Sequence, residues 1–285
     1  MPYANANGVK LYYEEAGAGV PLLFAHEFAS DLRQWEAQLR WFSRSYRCIA
    51  FNARGYPPSD VPSEDTAYEY QHFADDIGTV LDAAGVQSAY VVGWSMGAYA
   101  CLQFALRHRD RAKGVALVGC GSGSPPALRQ DFMKMMAATA RAFREEPMEQ
   151  RALALGEGES RVQLKRKDPR GWAAFVRDLA EHSPEGMALT AANYQGKRPS
   201  LEDFTAELAA LRTPVLIMTG DEDASCIETS LFLKRTLPGA GLWMAPQAGH
   251  APNLEDPAGF NRALQDFIEA AERGRWVIKG DGRPG

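Results

Sequence analysis

The 285 residues are enough for one sizeable core, or for a core domain that carries a substantial insertion. With 46% hydrophobic and 24% charged residues the composition is that of an ordinary globular protein. A formal net charge of −5 argues against nucleic acid or an anionic membrane surface as partner, and charges interrupt every apolar run before it could span a bilayer.

In chain order the first elements are an antiparallel pair, Tyr3 to Ala6 and Lys10 to Glu14, joined by a turn at Asn7-Gly8. Val20 to Ala25 predicts a buried strand, and Leu32, Trp35, Leu39 and Phe42 recur at helical spacing between Asp31 and Ser43. Tyr46 to Phe51 predicts the next strand, followed by a proline-rich loop at Gly55-Tyr56-Pro57-Pro58. A helix is expected from Gln71 to Ala84, stopped by Gly85. Ala89 to Val92 predicts a central strand, Met96 to Arg107 a helix that follows almost without a loop, and Val115 to Val118 another strand. From Gly121 to Leu211 only helical patterns appear, such as Phe132 to Phe143 and Trp172 to Leu179. Strands resume at Pro214 to Met218 and Leu242 to Met244, before a closing helix near Phe260 to Glu272.

This alternation predicts an α/β fold: a mostly parallel central sheet with helices on both faces. The layout expected is a core of residues 1–120 and 212–275, a helical insertion over residues 121–211 lying as a lid across the strand ends, and a poorly ordered tail at 276–285. Met1-Pro2-Tyr3-Ala4-Asn5 lacks the basic patch and apolar run of a signal peptide. Cys48, Cys101, Cys120 and Cys226 lie far apart without a CxxC spacing, which reads as reduced thiols in a cytoplasmic protein.

The sharpest local feature is Gly93-Trp94-Ser95-Met96-Gly97, a G-x-S-x-G sequence between a strand and a helix. A serine on so tight a turn takes a strained backbone conformation that exposes its hydroxyl above the sheet. Side chains at the two glycines would collide with neighbouring backbone. The helix that begins at Met96 points its positive end at the place where negative charge develops.

A serine hydroxyl needs a base. Of five histidines, His72 and His108 fall on charged helices and His182 in the insertion, which reads as solvated surface, while His26 follows an early strand. His250 follows a late strand within Ala248-Gly249-His250-Ala251-Pro252-Asn253, where small residues hold a loop open. Gly220-Asp221-Glu222-Asp223, after the strand before it, offers three carboxylates to orient that imidazole. The order serine, acid, histidine, each after a strand, is the order of a Ser-His-acid hydrolase on a parallel sheet.

On these segments the chain resembles the α/β-hydrolase superfamily over nearly its whole length. The resemblance implies a serine hydrolase with Ser95 as nucleophile, His250 as base and Asp223 as acid, with Asp221 in reserve. Asn52-Ala53-Arg54-Gly55 resembles the family's D-x-R-G loop with asparagine for aspartate, and the insertion resembles its cap. The family commonly has His-Gly after the third strand, whereas this chain has His26-Glu27. By resemblance the oxyanion hole is the backbone N–H groups of Phe28 and Met96. Glu27 and Trp94 are assigned to substrate binding. Two orientations are open for Glu27: outward into solvent, which avoids burying a carboxylate, or into the pocket against a polar or cationic substrate group.

The activity implied is acyl transfer from a small-molecule carboxylic ester or lactone through an acyl-enzyme at Ser95. The neighbouring readings are carbon–carbon bond hydrolysis of a diketone, a cofactor-free perhydrolase or haloperoxidase, and a slow-turnover ligand receptor. No metal or organic cofactor is expected, because neither a histidine–carboxylate cluster nor a phosphate-binding glycine loop is present in the sequence. Phe132, Met133, Met135, Met136, Phe143, Trp172 and Phe175 in the insertion read as packing, with a pocket lining as the alternative. The basic run Arg161, Lys165, Arg166, Lys167 and Arg170 reads as a solvated face, with an acidic substrate as the alternative. The oligomeric state is left open.

Overall fold

The computed structural model describes residues 2–280. Eight strands form one sheet in the order β1-β2-β4-β3-β5-β6-β7-β8. β1 (Tyr3–Ala6), β2 (Val9–Ala16) and β4 (Tyr46–Phe51) pair antiparallel in that order. β3 (Val20–Ala25), β5 (Ala89–Trp94), β6 (Ala112–Val118), β7 (Val215–Gly220) and β8 (Ala240–Ala245) run parallel, and β3 also pairs parallel with β4.

The central strands are covered on both faces, so their residues are apolar without alternation: β5 and β7 are buried from end to end. On one face α1 (Glu36–Phe42) and α12 (Pro257–Glu272) bury Phe42, Phe260, Leu264 and Phe267, with Trp35 beside them, against Phe24, Val92 and Met218. The opposite face carries α2 (Tyr70–Ala83) and α3 (Met96–Arg107), with Ile77, Leu81, Leu102 and Phe104 in its core. Several strands extend further than the sequence pattern predicts: β2 to Val9 and Ala16, β5 to Trp94, β6 back to Ala112, β7 to Gly220 and β8 to both sides of Leu242–Met244.

The chain passes from β3 outward to β4 and then returns to the other side of β3 to lay down β5. Strand order therefore reverses between β3 and β5, and the loops leaving their C-terminal ends diverge to leave a crevice. Ala25 pairs with Gly93 across that junction, which sets Glu27 and Phe28 beside Ser95.

Between β6 and β7 the chain leaves the sheet for six α-helices, α4 (Pro126–Glu145), α5 (Met148–Gly156), α6 (Val162–Lys167), α7 (Pro169–Ala180), α8 (Pro184–Leu189) and α9 (Thr205–Ala210), with a π-helical turn at Thr190–Gln195. The rest of the core contributes α10 (Ile227–Thr236) and the short α11 (Pro252–Glu255). No helix is long and apolar enough to cross a membrane among the described residues.

Two expectations are corrected here. His182 is buried, with Nε2 3.1 Å from Asp31 Oδ2, so it anchors the insert to the core rather than facing solvent. The start of the tail is packed: Trp276 stacks edge-on against Phe267 and donates to the Gly239 carbonyl at 2.7 Å. Residues 281–285 lie outside the described residues. Asn52 explains its own departure from aspartate, since it accepts from Leu32 N–H at 3.0 Å and also donates to the Pro57 carbonyl at 2.7 Å, which a carboxylate could not do.

Candidate active site

Ser95 stands between β5 and α3 with φ 50° and ψ −103°, a left-handed strained conformation for a residue with a side chain. Its N–H donates to the Val118 carbonyl at 2.7 Å and its carbonyl accepts from Tyr99 N–H at 3.1 Å, so both sides of the turn are held. Gly97 is required because a Cβ there would collide with the Ala25 and His26 carbonyl oxygens, where α3 crosses the end of β3.

His250 Nδ1 lies 2.7 Å from Asp223 Oδ2, with both groups buried. Asp223 Oδ1 also accepts from Ser225 Oγ at 3.0 Å. Of the other two acids in the loop, Asp221 accepts from Ala248 N–H at 3.2 Å and Glu222 from Gln163 Nε2 at 2.6 Å, and neither reaches the imidazole. Burial alone would lower the basicity of His250, but the charge of Asp223 and its hydrogen bond outweigh it and hold the imidazole well above its ordinary value. Reciprocally, burial works against ionisation of Asp223 but His250 holds its carboxyl below the usual value.

The His250 loop is clamped from below. Glu255, a buried carboxylate at the end of α11, accepts from Gly249 N–H at 2.5 Å and Ala251 N–H at 3.3 Å. Trp94 Nε1 donates to the His250 carbonyl at 2.7 Å, and the His250 N–H donates to the Ser160 carbonyl of the insert at 3.3 Å.

The two amides expected to meet an oxyanion are oriented by tyrosines. Tyr56 OH donates to the Phe28 carbonyl at 2.8 Å and Tyr194 OH to the Met96 carbonyl at 2.9 Å. Neither the Phe28 nor the Met96 N–H has an acceptor among the loop and cap hydrogen bonds of the described residues. Met96 is the first residue of α3, where an amide has no partner within its helix. His26 shapes the same loop: Nδ1 donates to the Glu27 carbonyl at 2.7 Å and Nε2 accepts from Ala53 N–H at 3.0 Å. Burial pushes this imidazole down to about 4, so it is neutral and serves as a structural donor and acceptor.

Glu27 faces inward. It is 3% exposed, Oε1 is ion-paired with Arg161 Nη2, and Oε2 stands 3.7 Å from His250 Nε2. Arg161 is equally buried, with its guanidinium 5.3 Å from the Trp94 ring centroid and 4.9 Å from that of Phe175. A cavity of about 500 Å³ opens over these groups and is lined by Glu27, Phe28, Ser95, Arg161 and His250 together with Phe132, Met135, Met136 and Arg198 of the insert. Among the described residues one set of ligand-type side chains clusters closely enough for a metal ion, Asp223, Cys226 and His250. Two of its members already hold each other, and Cys226 Sγ lies 3.9 Å from His250 Nδ1.

Residues 20–257 match the family model described as alpha/beta hydrolase fold. The chain belongs to the α/β-hydrolase family. A protein named non-heme haloperoxidase from Rhodococcus erythropolis is 28% identical over 95% of this chain and 100% of its own length. Among solved structures, a thermophilic esterase from Thermogutta terrifontis superposes with TM-score 0.82 at 25% identity, covering 94% of this chain and 98% of that one. The enol-lactonase of Burkholderia xenovorans LB400 reaches TM-score 0.83 at 23% identity over 94% of this chain and 100% of that one, a likeness of fold.

Of the residues singled out from the sequence, Ser95, His250, Glu27 and Phe28 share the cavity and Asp223 sits behind His250. Trp94 does not line it. This side chain is 0% exposed beneath the cavity floor, where it packs against Trp35, receives Arg161 on its ring and supports the His250 loop. The basic run divides: Arg161 is buried in the site, whereas Lys165 pairs with Glu157 and Arg166, Lys167 and Arg170 are exposed. The aromatic and methionine set divides too, with Phe132, Met135 and Met136 on the cavity wall, Phe143 and Phe175 in the core, and Met133 exposed. Sequence reasoning did not single out Glu255, Tyr56, Tyr194 or Arg198. The one available signal was for Arg161: a carboxylate at position 27, if buried, requires a cation.

Proposed function

We propose that this enzyme hydrolyses a small-molecule carboxylic ester or lactone through an acyl-enzyme at Ser95, with residues 121–211 acting as the cap over the pocket. The observation that carries this reading is the 2.7 Å contact of His250 Nδ1 with Asp223 Oδ2 in the cavity that also holds the strained Ser95. Neutral His250 takes the Ser95 proton at Nε2 as Oγ attacks the substrate carbonyl. The resulting oxyanion is met by the N–H groups of Phe28 and Met96, each worth about 3 kcal/mol. His250 then returns the proton to the leaving oxygen, and a water molecule, deprotonated by the same imidazole, releases the acid and regenerates Ser95. Asp223 fixes the tautomer and stabilises the imidazolium.

The cavity volume suits a small molecule, and all four cysteines are free and buried, which supports a reducing, cytoplasmic setting. The haloperoxidase relative favours a second reading, in which the same serine makes a peroxyacid from a carboxylic acid and peroxide. Hydrolysis of p-nitrophenyl butyrate by the wild type and by Ser95→Ala tests the first reading. Activity that is present in one and lost in the other supports it, and equal rates in both refute it. Halide oxidation that requires peroxide and a carboxylic acid, without ester turnover, would favour the second.

A further inference from the structure

Among the described residues, the cavity wall carries one cation without a carboxylate partner, Arg198. Its other charged groups are accounted for: Glu27 is paired with Arg161, and Asp131 at the exposed rim is paired with Lys134 at 3.2 Å. Arg198 is 4% exposed, and among the described residues no carboxylate lies within ion-pair distance of it. Its Nη2 donates to the Ser122 carbonyl at 3.0 Å, its guanidinium lies 4.6 Å from the Tyr99 ring centroid and 5.6 Å from that of Phe132, and the buried Nη1 has no hydrogen-bond partner among the described residues.

Ser122 and Phe132 are wall residues of the cavity, so the guanidinium end of Arg198 belongs to this side, although the residue also borders a smaller cleft beyond it. The Arg198 carbonyl oxygen in turn accepts from the half-buried Arg129, which holds this stretch of backbone in place.

Burying a guanidinium without a counter-ion is costly, and an unmet donor adds to that cost. Elsewhere in this molecule the same problem is solved internally, by Asp76 for Arg54 and by Glu27 for Arg161. Arg198 differs in that it has no internal carboxylate among the described residues and lines the cavity that contains Ser95. We infer that the substrate carries a carboxylate beyond its scissile carbonyl and that Arg198 receives it as a specificity-determining group. The inference rests on the ester or lactone reading above for the chemistry, though not for the binding. The product of such a reaction is a dicarboxylate, or a hydroxy dicarboxylate when the substrate is a lactone.

Two measurements separate the two ideas. The first compares kcat/KM for mono-p-nitrophenyl adipate with that for p-nitrophenyl hexanoate, which has the same acyl chain length without the charge. The wild type should prefer the charged ester by about 10- to 100-fold, the range of a charge-assisted hydrogen bond. In Arg198→Met that ratio should fall toward one, and Arg198→Lys, which keeps the charge without the planar fork, should keep part of it.

The second titrates adipate and adipamide into Ser95→Ala by calorimetry, where no turnover is involved. Adipate should bind at least tenfold tighter, and the double variant Ser95→Ala/Arg198→Met should lose that preference. Thermal melting of each variant confirms that it is folded, and Arg198→Lys carries the comparison should Arg198→Met fail to fold. Carboxylate-selective binding without ester hydrolysis would overturn the acyl-transfer reading and leave the anion site standing. Ester hydrolysis with no preference for the charged partner in either measurement, or a preference that survives in Arg198→Met, would overturn the anion site and leave the hydrolase.

Discussion

Arg161 and Glu27, 134 residues apart in the chain, form an ion pair in which both side chains are 4% exposed, and this pair joins the helical insert to the loop that precedes Phe28. Removing one partner leaves the other charge buried and uncompensated, which costs about 3–5 kcal/mol. Glu27→Gln and Arg161→Met should therefore each lower stability by that amount in urea unfolding. The double variant should be less destabilised than the sum of the two, because no orphan charge remains. Additive losses would mean that the two side chains do not act on each other.

The same carboxylate also stands beside the base. Glu27 Oε2 lies 3.7 Å from His250 Nε2, with Asp223 at Nδ1, and Asp223 favours the protonated imidazole against the effect of burial. Since only neutral His250 can take a proton, kcat/KM should rise with pH through a midpoint above the ordinary histidine value of about 6.5. Glu27→Gln should move that midpoint down, and Arg161→Met should move it up by leaving Glu27 without its counter-charge. A pH–rate profile of the three proteins reads this directly, and a midpoint that stays in place would exclude Glu27 from the electrostatics of the base.

Stability should respond to pH with the opposite sign at two histidines. His26, lowered to about 4 by burial, binds a proton more readily when unfolded, so its contribution is present above about pH 6.5 and lost as pH falls toward 4. Between pH 7 and pH 5 this amounts to a loss of about 2 kcal/mol. His250, raised above its unfolded value, contributes fully below about pH 6.5 and loses that contribution as pH rises through its folded value. Maximum stability is thus expected near pH 6.5. His26→Gln, which keeps a donor for the Glu27 carbonyl and an acceptor for Ala53 N–H, should flatten the acid side in chemical unfolding at each pH.

The acid of the proposed triad can be tested against its neighbours. Asp223→Asn should lower kcat by roughly 10⁴-fold, because the amide favours the wrong imidazole tautomer. Asp221→Asn, which disturbs one hydrogen bond to Ala248 N–H, should stay within about twofold of the wild type. Steady-state assays with p-nitrophenyl butyrate distinguish the two, and a large loss in Asp221→Asn alone would move the assignment.

What short-range stereochemistry governs was legible in the order of residues. A Gly-x-Ser-x-Gly turn between an apolar strand and a helix admits few backbone paths, and the one found holds Ser95 at φ 50° with Gly97 against the end of β3. Strand and helix alternation likewise determined the parallel sheet, and hence that Ser95, Asp223 and His250 all follow the C-terminal ends of strands. The tertiary structure decided the questions of charge. Three acids in one loop are equivalent until β7 and β8 bring Asp223, and neither of the others, to His250. Arg161 reads as one cation in a solvated run until the insert folds it onto Glu27, and only the folded chain shows that Arg198 has no carboxylate partner among the described residues. Backbone conformation follows from neighbours in sequence, whereas the cost of a charge depends on what surrounds it in space, and here the insert supplies those surroundings.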